Sequence, residues 1–470
     1  MDYFLNIPNK VDKILRILGR EGFDAYVVGG CVRDILMGRK PSDWDVTTSA
    51  TPEETKACFS GYKVIETGIK HGTVTVVMDG EPFEITTFRS DGAYSDGRHP
   101  DSVSFSKDIK VDLARRDFTM NALAYSPNKG LVDEYGGLAD IKNRIIKAVG
   151  VPEERFGEDS LRILRAIRFA GTLGFMLDPG TARAVKALAA TAGRASAERI
   201  MTELNKLFMG AYAAYAVKVY RNEINEAISF SGARIMDRKA VRSLEHAPAS
   251  LPLRLALLLD VPDDGEQLQM PIGDGSGSTR MPNSGRSSGL FGSGGLLAFA
   301  GDLFGAVPDT DIDAFRGALR KMKYDNDTIK QASAIKEASA KNIEPEEPVV
   351  LLEMRKLADS FPYEEVPDIL MDGISVRSLK GKLSDSGTEK LFGIIGGIVE
   401  QGRCYSRSQL EVTGDDLIGD KELADTGLKP GKDVGRILSA LLDEVIAGQL
   451  ENKKNRLLER ARSLYSVLNC

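Results

Sequence analysis

Residues 27–46 read VVGGCVRDILMGRKPSDWDV, and two signatures in this span decide how the chain begins. The apolar run Val27-Val28 breaks at Gly29-Gly30, after which the spacing predicts a helix. A helix starting there leaves backbone N–H groups unpaired and turns the positive end of its dipole toward the glycines, a place that suits phosphate. A tight turn that needs glycine for steric reasons would give the same letters. Farther on, the period of two in Asp43-Trp44-Asp45-Val46 sets both carboxylates on one strand face and Trp44 and Val46 on the other. Two like charges so close are costly unless a cation joins them, so the pair reads as a Mg²⁺ site whose remaining positions accept phosphate oxygens. Standing alone, it would equally read as a solvated edge. Glu84, in the alternating run FEITTFR (83–89), is a third carboxylate able to complete or orient that metal site.

Working outward, residues 1–150 read as one small mixed α/β domain. An amphipathic helix carries Val11, Ile14, Leu15 and Leu18, and the strand-like runs DAYVV, DWDVTT, TVTVVM and FEITTF follow between Gly and Asp turns. From about Glu158 the texture turns to helical periodicity, with Ser196 two residues before Glu198 as a helix start. Between Gly273 and Gly295, 14 of 23 residues are Gly or Ser, which predicts a flexible loop or linker inside the helical half. Helical pattern then resumes to the end, with Pro430 and Gly431 just ahead of an apolar periodic run. The expected division is a head at 1–150, a neck at 151–215, a body at 216–340 and a tail at 341–470.

At 470 residues and 51.1 kDa, the chain is too long for one core, and 42% hydrophobic with 28% charged residues excludes a wholly disordered or collagen-like protein. The N-terminus lacks the apolar core of a signal peptide, and no run approaches the ~18 apolar residues of a membrane span, so a cytoplasmic protein without a membrane partner is expected. Cys31, Cys58, Cys404 and Cys470 stand far apart, and His71, His99 and His246 are the only imidazoles, which argues against a zinc site. The formal net charge of −6 conceals an asymmetry: Ser160 to Leu244 carries 14 Lys and Arg against 6 Asp and Glu, a local +8. That segment is a candidate polyanion surface.

In Glu158-Asp159-Ser160-Leu161-Arg162-Ile163-Leu164-Arg165, the i, i+3, i+6 spacing of Asp159, Arg162 and Arg165 predicts one helical stripe, with Arg168 one step farther. Alone, such a stripe suits a salt-bridged surface. Taken with GGCVRDILMGRKPSDWDV, FEITTFR and LARRDFTMNALAY (113–125), however, it resembles the class II nucleotidyltransferases, the tRNA CCA-adding enzymes and bacterial poly(A) polymerases. The resemblance implies an α+β chain: a polymerase-β-like mixed α/β nucleotidyltransferase head followed by an all-helical neck, body and tail. It also implies Asp43 and Asp45 as ligands of two Mg²⁺ ions and Gly29, Gly30 and Arg33 on the triphosphate. Arg116 and Asp117 would lie near the sugar, and Asp159, Arg162, Arg165 and Arg168 would form the base-reading helix. An aspartate accepts and an arginine donates a planar fork, so such a pair matches a Watson–Crick edge without a template.

RSDGAYSDGRHPDSVSF (89–105) is similar to the family's flexible loop, which helps switch from C to A addition; enzymes that add only CC have it shortened. The segment 411–458, with GLKPG and VGRILSALL, is similar to the tail of bacterial CCA-adding enzymes. Poly(A) polymerases tend to basic termini, whereas the isoelectric point here is about 5.5. LRLALLLDVPDD (253–264) departs from relatives that carry a His-Asp phosphohydrolase signature, since the first metal-binding His is absent.

The activity so implied is template-independent addition of C, C and A to the 3′ end of tRNA from CTP and ATP, with pyrophosphate released. An A-adding enzyme, a poly(A) polymerase and a catalytically silent RNA-binding protein are the alternatives. Arg165, Lys186, Arg199, Lys206, Lys453, Lys454 and Arg456 are expected to grip the acceptor arm by phosphate contacts.

Overall fold

The computed structural model of the chain describes residues 4–92, 102–235, 238–262 and 311–468. Two compact units divide it, Met1–Leu251 with Gly317–Asp325 and Pro252–Arg316 with Asn326–Cys470.

The first unit opens with α1 (Asn9–Arg20), whose buried residues Val11, Ile14, Leu15 and Leu18 form the stripe that the sequence predicts. The elements β1 (Ala25–Val28), α2 (Gly30–Leu36), β2 (Val46–Thr48) and α3 (Pro52–Cys58) follow. Next come β3 (Lys63–Ile65), β4 (Thr73–Met78) and β5 (Glu81–Thr87). In β5, Phe83, Ile85 and Thr87 are buried while Glu84 between them is exposed, the alternation of a sheet with one face on the core.

A short antiparallel hairpin, β6 (Arg89–Asp91) with β7 (Val103–Phe105), precedes α4 (Ile109–Ala114). It forms the two ends of the expected loop at 89–105; residues 93–101 lie outside the described residues. Strands β8 (Ala124–Ser126) and β9 (Gly130–Val132) complete a seven-stranded sheet in the order β3-β4-β5-β2-β1-β8-β9. The pair β2–β5 is parallel and its neighbours are antiparallel, giving the mixed sheet of an α+β head.

Helices then take over: α5 (Gly137–Asn143), α6 (Pro152–Glu158), α7 (Leu161–Leu173), α8 (Pro179–Leu188), α9 (Ala197–Phe208) and α10 (Ala213–Ile228). Ser196 stands immediately before α9, where the sequence puts a helix start. Helices α7 and α9 approach closely because residue 171 has no side chain: a Cβ on Gly171 would fall 2.4 Å from Leu207 Cδ1.

The second unit is helical throughout its longer elements, including Asn326–Ala340, Val366–Leu379, Asp385–Glu400, Lys432–Ile446 and Lys454–Leu468. Gly431 precedes the apolar helix Lys432–Ile446, whose Ile437 and Leu441 join Leu457 and Ala461 in one core. Lys336 is buried, and its ammonium donates to the Ala256 and Leu259 carbonyls at 3.1 and 2.6 Å and to Asp260 Oδ1 at 2.6 Å. Burial lowers its pKa to about 8, with the Asp260 charge opposing that shift. The glycine- and serine-rich stretch 273–295 lies outside the described residues. Among the described residues, no helix is long and apolar enough to cross a membrane.

Candidate active site

Strand β1 ends in the core and hands over to α2 through Gly29, whose φ of +82° belongs to the region open to glycine. Any Cβ there would also come within 2.9 Å of Arg116 Nη1, so the turn and that arginine lie against each other. Helix α2 begins at Gly30, as the sequence predicts. One turn on, Arg33 folds back to the glycines, with its Nη2 3.6 Å from where a Cβ on Gly30 would sit. It donates to Asn121 Oδ1 at 2.7 Å and to Asp34 Oδ1 at 2.8 and 2.9 Å, and only 8% of it is exposed. Its orientation is therefore fixed by protein partners.

The acidic cluster gathers at the neighbouring strand, but the expected strand face is corrected: residues 43–45 are irregular, because β2 begins only at Val46. Asp43 and Asp45 lead into β2 and are exposed, and because Val46 pairs with Ile85 in parallel, Asp45 and Glu84 are neighbours on one face. Asp45 keeps access to solvent, yet the surrounding protein desolvates it and pushes its carboxyl pKa up; Arg116 opposes the shift, and the charges of Asp43 and Glu84 add to it. Among the described residues, no three His, Cys, Asp or Glu side chains converge to hold a metal ion by themselves. A Mg²⁺ site does not demand three, since this ion is held by one or two carboxylates together with water and substrate phosphates. An Asp45 carboxyl pushed up by burial and by the neighbouring charges of Asp43 and Glu84, at a solvent-accessible face, fits such an ion.

Behind the cluster, Asp112 of α4 is fully buried and accepts from Arg115 at 2.8 and 3.0 Å and from Arg116 at 3.3 Å. Burial pushes its carboxyl up, but the two arginines outweigh burial and the net shift is downward. Asp112 thus anchors the arginine that faces both Gly29 and Asp45. The Nε of Arg116 is buried and has no hydrogen-bond partner among the described residues.

Beyond Arg116 opens a cleft of about 520 Å³. Arg115, Arg116, Asp117, Asp159, Arg162 and Arg165 line it together with Glu198, Arg199, Thr202 and Glu203 of α9. Five of the expected nucleotide-binding residues therefore share one cavity. Asp117 Oδ2 accepts from Arg165 Nε and Nη2 at 2.9 and 2.6 Å, and its Oδ1 accepts from Asn121 Nδ2 at 3.0 Å. Burial alone would raise its pKa; Arg165, the Asn121 bond and Arg162 carry it well below the usual carboxylate range instead.

The expected helical stripe is corrected in one respect. Asp159 is extended, with φ −142° and ψ 102°, and α7 begins at Leu161. Asp159 does not stand on the helix: its Oδ1 accepts the Leu161 N–H at 3.1 Å, so the aspartate breaks the chain direction between α6 and α7. Nor is the stripe a solvated surface. Arg162 is only 9% exposed, with its guanidinium bonded to Glu158, to the Arg155 carbonyl at 2.9 Å and to the Arg115 carbonyl at 3.3 Å. Arg168 lies outside the cleft lining, donates to Glu203 Oε2 at 2.8 Å and lies 3.5 Å from the centre of the Phe169 ring. Arg33 and Arg165 stand over the same ring at 5.1 and 5.7 Å.

Two members of the expected RNA-gripping set are also placed differently. Arg165 and Arg199 turn into the cleft, paired with Asp117 and Asp159, because acidic partners there satisfy them. Lys186 and Lys206 are exposed. In the second unit, Lys453, Lys454 and Arg456 pair with Glu451, Asp416 and Glu459 at the surface.

Asp112 and Glu203 are not apparent as site residues from the sequence. A signal for Asp112 was present, since Arg115 and Arg116 follow it at i+3 and i+4. Glu203 follows Arg199 by one helical turn on the face that also carries Thr202, but nothing local marks that face as a site wall.

This arrangement defines a nucleotidyltransferase: residues 25–147 match the family model of the poly(A) polymerase head domain. Residues 174–223 match the RNA and SrmB-binding site of polymerase A, and residues 307–461 match domain 2 of tRNA nucleotidyltransferases. The chain belongs to the CCA-adding enzyme family. It is 31% identical to the CCA-adding enzyme of Ligilactobacillus salivarius over 98% of both chains. A match to the Lactobacillus helveticus enzyme reaches 43% identity but covers 54% of this chain and 64% of that one. The fold is similar to that of the Bacillus stearothermophilus CCA-adding enzyme in complex with CTP, at 29% identity, a TM-score of 0.68 and 98% coverage of each chain. The Thermotoga maritima enzyme complexed with tRNA shares the fold at a TM-score of 0.58 and 19% identity, covering 98% of this chain and 96% of that one.

Proposed function

We propose that this chain adds C, C and A to the 3′ end of tRNA, taking CTP and ATP as substrates and releasing pyrophosphate. The observation that carries this reading is relationship along the whole length: the likeness to CCA-adding enzymes spans 98% of the chain, tail included.

In this reading, residues 1–150 are the catalytic head, 151–215 the base-recognising neck, 216–340 the body and 341–470 the RNA-binding tail. Two Mg²⁺ ions held by Asp43 and Asp45 would activate the terminal 3′-hydroxyl and neutralise the triphosphate and the leaving group. Glu84 acts on that pair through its charge. The glycine turn at 29–30, with Arg33 and Arg116 beside it, orients the triphosphate for in-line attack of the hydroxyl on the α-phosphate. Asp117, clamped by Arg165, serves the sugar side, and Arg168 steadies this wall through Glu203. Asp159 offers acceptors and Arg162 donors to the base edge, so the protein itself selects C or A. Lys186 and Lys206, exposed on the basic neck, are the residues there still directed at RNA phosphates. A cytoplasmic location belongs to the same reading, since tRNA, CTP and ATP would meet the enzyme there.

The test offers tRNA lacking its 3′ end with CTP, ATP and Mg²⁺, singly and combined, and sequences the products. The expected product ends in CCA only when both nucleotides are present. Addition of A alone to tRNA ending in CC, long A tails on generic RNA from ATP, or no addition would each replace the reading with one of the alternatives.

A further inference from the structure

We infer that Asn121 is a positioning residue for the triphosphate: its side-chain amide spans Arg33 and Asp117 and fixes the Arg33 guanidinium relative to the glycine turn. The inference rests on the reading that Arg33 meets the triphosphate.

Arg33 has two hydrogen-bonding partners of different kinds. Asp34 Oδ1 accepts from its Nε and Nη2 at 2.9 and 2.8 Å, but Asp34 is the next residue of α2 and moves with that helix. Asn121 stands 88 positions farther along the chain, and its Oδ1 accepts from Arg33 Nη1 at 2.7 Å. Among the hydrogen bonds of the described residues, Asn121 is what ties this guanidinium to a second part of the head. An arginine has five N–H donors, so one on each of Nη1 and Nη2 stays for an oxyanion beside the turn.

The other end of the amide shows why Asn121 can hold its place. Its Nδ2 donates to Asp117 Oδ1 at 3.0 Å. The Phe118 N–H takes the same oxygen at 2.8 Å, and Arg165 Nε and Nη2 take Oδ2 at 2.9 and 2.6 Å. A carboxylate has about four lone-pair positions, so the protein uses all of them and Asp117 is a rigid post for the amide. Arg33, Asn121 and Asp117 are 8%, 6% and 9% exposed, which leaves water little room to compete for these bonds.

The amide also has one workable orientation. Turned over, its NH2 would face the guanidinium and its oxygen the carboxylate, so donor would meet donor and acceptor would meet acceptor. Its backbone is seated at the glycines as well: the Asn121 carbonyl oxygen lies 3.9 Å from where a Cβ on Gly29 would sit, and the Gly29 N–H donates to the Leu123 carbonyl at 3.0 Å. A triphosphate needs the turn and the Arg33 fork in one geometry at the same moment. Without the amide, Arg33 keeps its charge and Asp34 but loses the bond that sets it against the turn.

The test uses the full-length protein, tRNA lacking its 3′ end, and inorganic pyrophosphate as a probe that carries phosphates without base or sugar. Inhibition of CTP and ATP incorporation gives its Ki in a double-mutant cycle of Asn121→Ala and Arg33→Ala. Asn121→Ala is expected to raise the pyrophosphate Ki, and KM for CTP and ATP alike, by about tenfold. The CTP-to-ATP ratio of kcat/KM should stay unchanged, and in the Arg33→Ala background the same substitution should add nothing. Asn121→Ser, polar but too short to span both partners, repeats the cycle with a variant that keeps a hydroxyl in the buried site, and the same pattern is expected. An equal rise of Ki in both backgrounds, no rise with Arg33 intact, or a shifted CTP-to-ATP ratio would overturn the positioning role. If Arg33→Ala itself leaves the pyrophosphate Ki unchanged, the placement of Arg33 on the triphosphate is wrong and the inference falls with it.

Discussion

Arg165 and Asp117 form a two-pronged ion pair, Nε and Nη2 both donating to Oδ2 at 2.9 and 2.6 Å, which ties α7 to the loop behind α4. Removing the arginine leaves a nine-tenths buried carboxylate whose hydrogen bonds among the described residues come from the Phe118 N–H and the Asn121 amide, with the Arg162 charge nearby. Arg165→Met should destabilise the protein by about 2–3 kcal/mol in chemical denaturation at pH 7. Because the pKa of Asp117 is depressed on folding, its contribution is fully present above the ordinary carboxylate range and is lost as pH falls through and below it. The gap between wild type and variant should therefore narrow on acidification; a constant gap would show that the pair is not the source.

The exposed acidic pair makes a sharper demand. Asp43→Ala should lower nucleotide incorporation on the order of 10³-fold or more while tRNA binding, followed by filter retention, stays near wild type. Retained turnover would remove Asp43 from the catalytic centre.

At the turn, Gly29→Ala meets two obstacles, a φ of +82° and the Arg116 guanidinium 2.9 Å from the new Cβ. A cost of about 1–2 kcal/mol in stability is expected. Displacement of Arg116 should also raise KM for both CTP and ATP. A variant that melts lower yet binds both nucleotides normally would separate the turn from the triphosphate.

Lys336 and Asp260 offer a test outside the head. Asp260→Leu strips the counter-charge from a buried ammonium and should cost about 3–5 kcal/mol at pH 6. Asp260 raises the pKa of Lys336 against the downward pull of burial, so its stabilisation is present while the amine is protonated and fades as pH rises through about 8. Unfolding curves at pH 6 and pH 9 should show the penalty shrinking at the higher pH.

Much of the head is legible in the residues themselves. The period of α1 names its four buried residues, and TVTVVM is β4 from end to end, because local spacing alone decides which side of a helix or strand meets the core. The glycine turn and the Asp43/Asp45 pair are local as well. What local spacing does not reach is the far partner. Arg199 and Asp159 are 40 positions apart, and Arg165 and Asp117 are 48 apart, so a charged stripe that reads as solvated is instead satisfied by carboxylates brought from elsewhere by α9 and by the loop behind α4. The misplacement of Asp159 on the helix has a similar origin: its side chain accepts the Leu161 N–H, an option that propensity and periodicity do not distinguish from one more helical turn.

The ring of Phe169 touches three guanidiniums that serve different parts of the site: Arg33 beside the glycines, Arg165 on Asp117 and Arg168 on Glu203. Such an aromatic washer makes the three arginines one mechanical assembly. Trimming any of them should loosen the seat of the other two, so the effects of paired substitutions among them are expected not to sum.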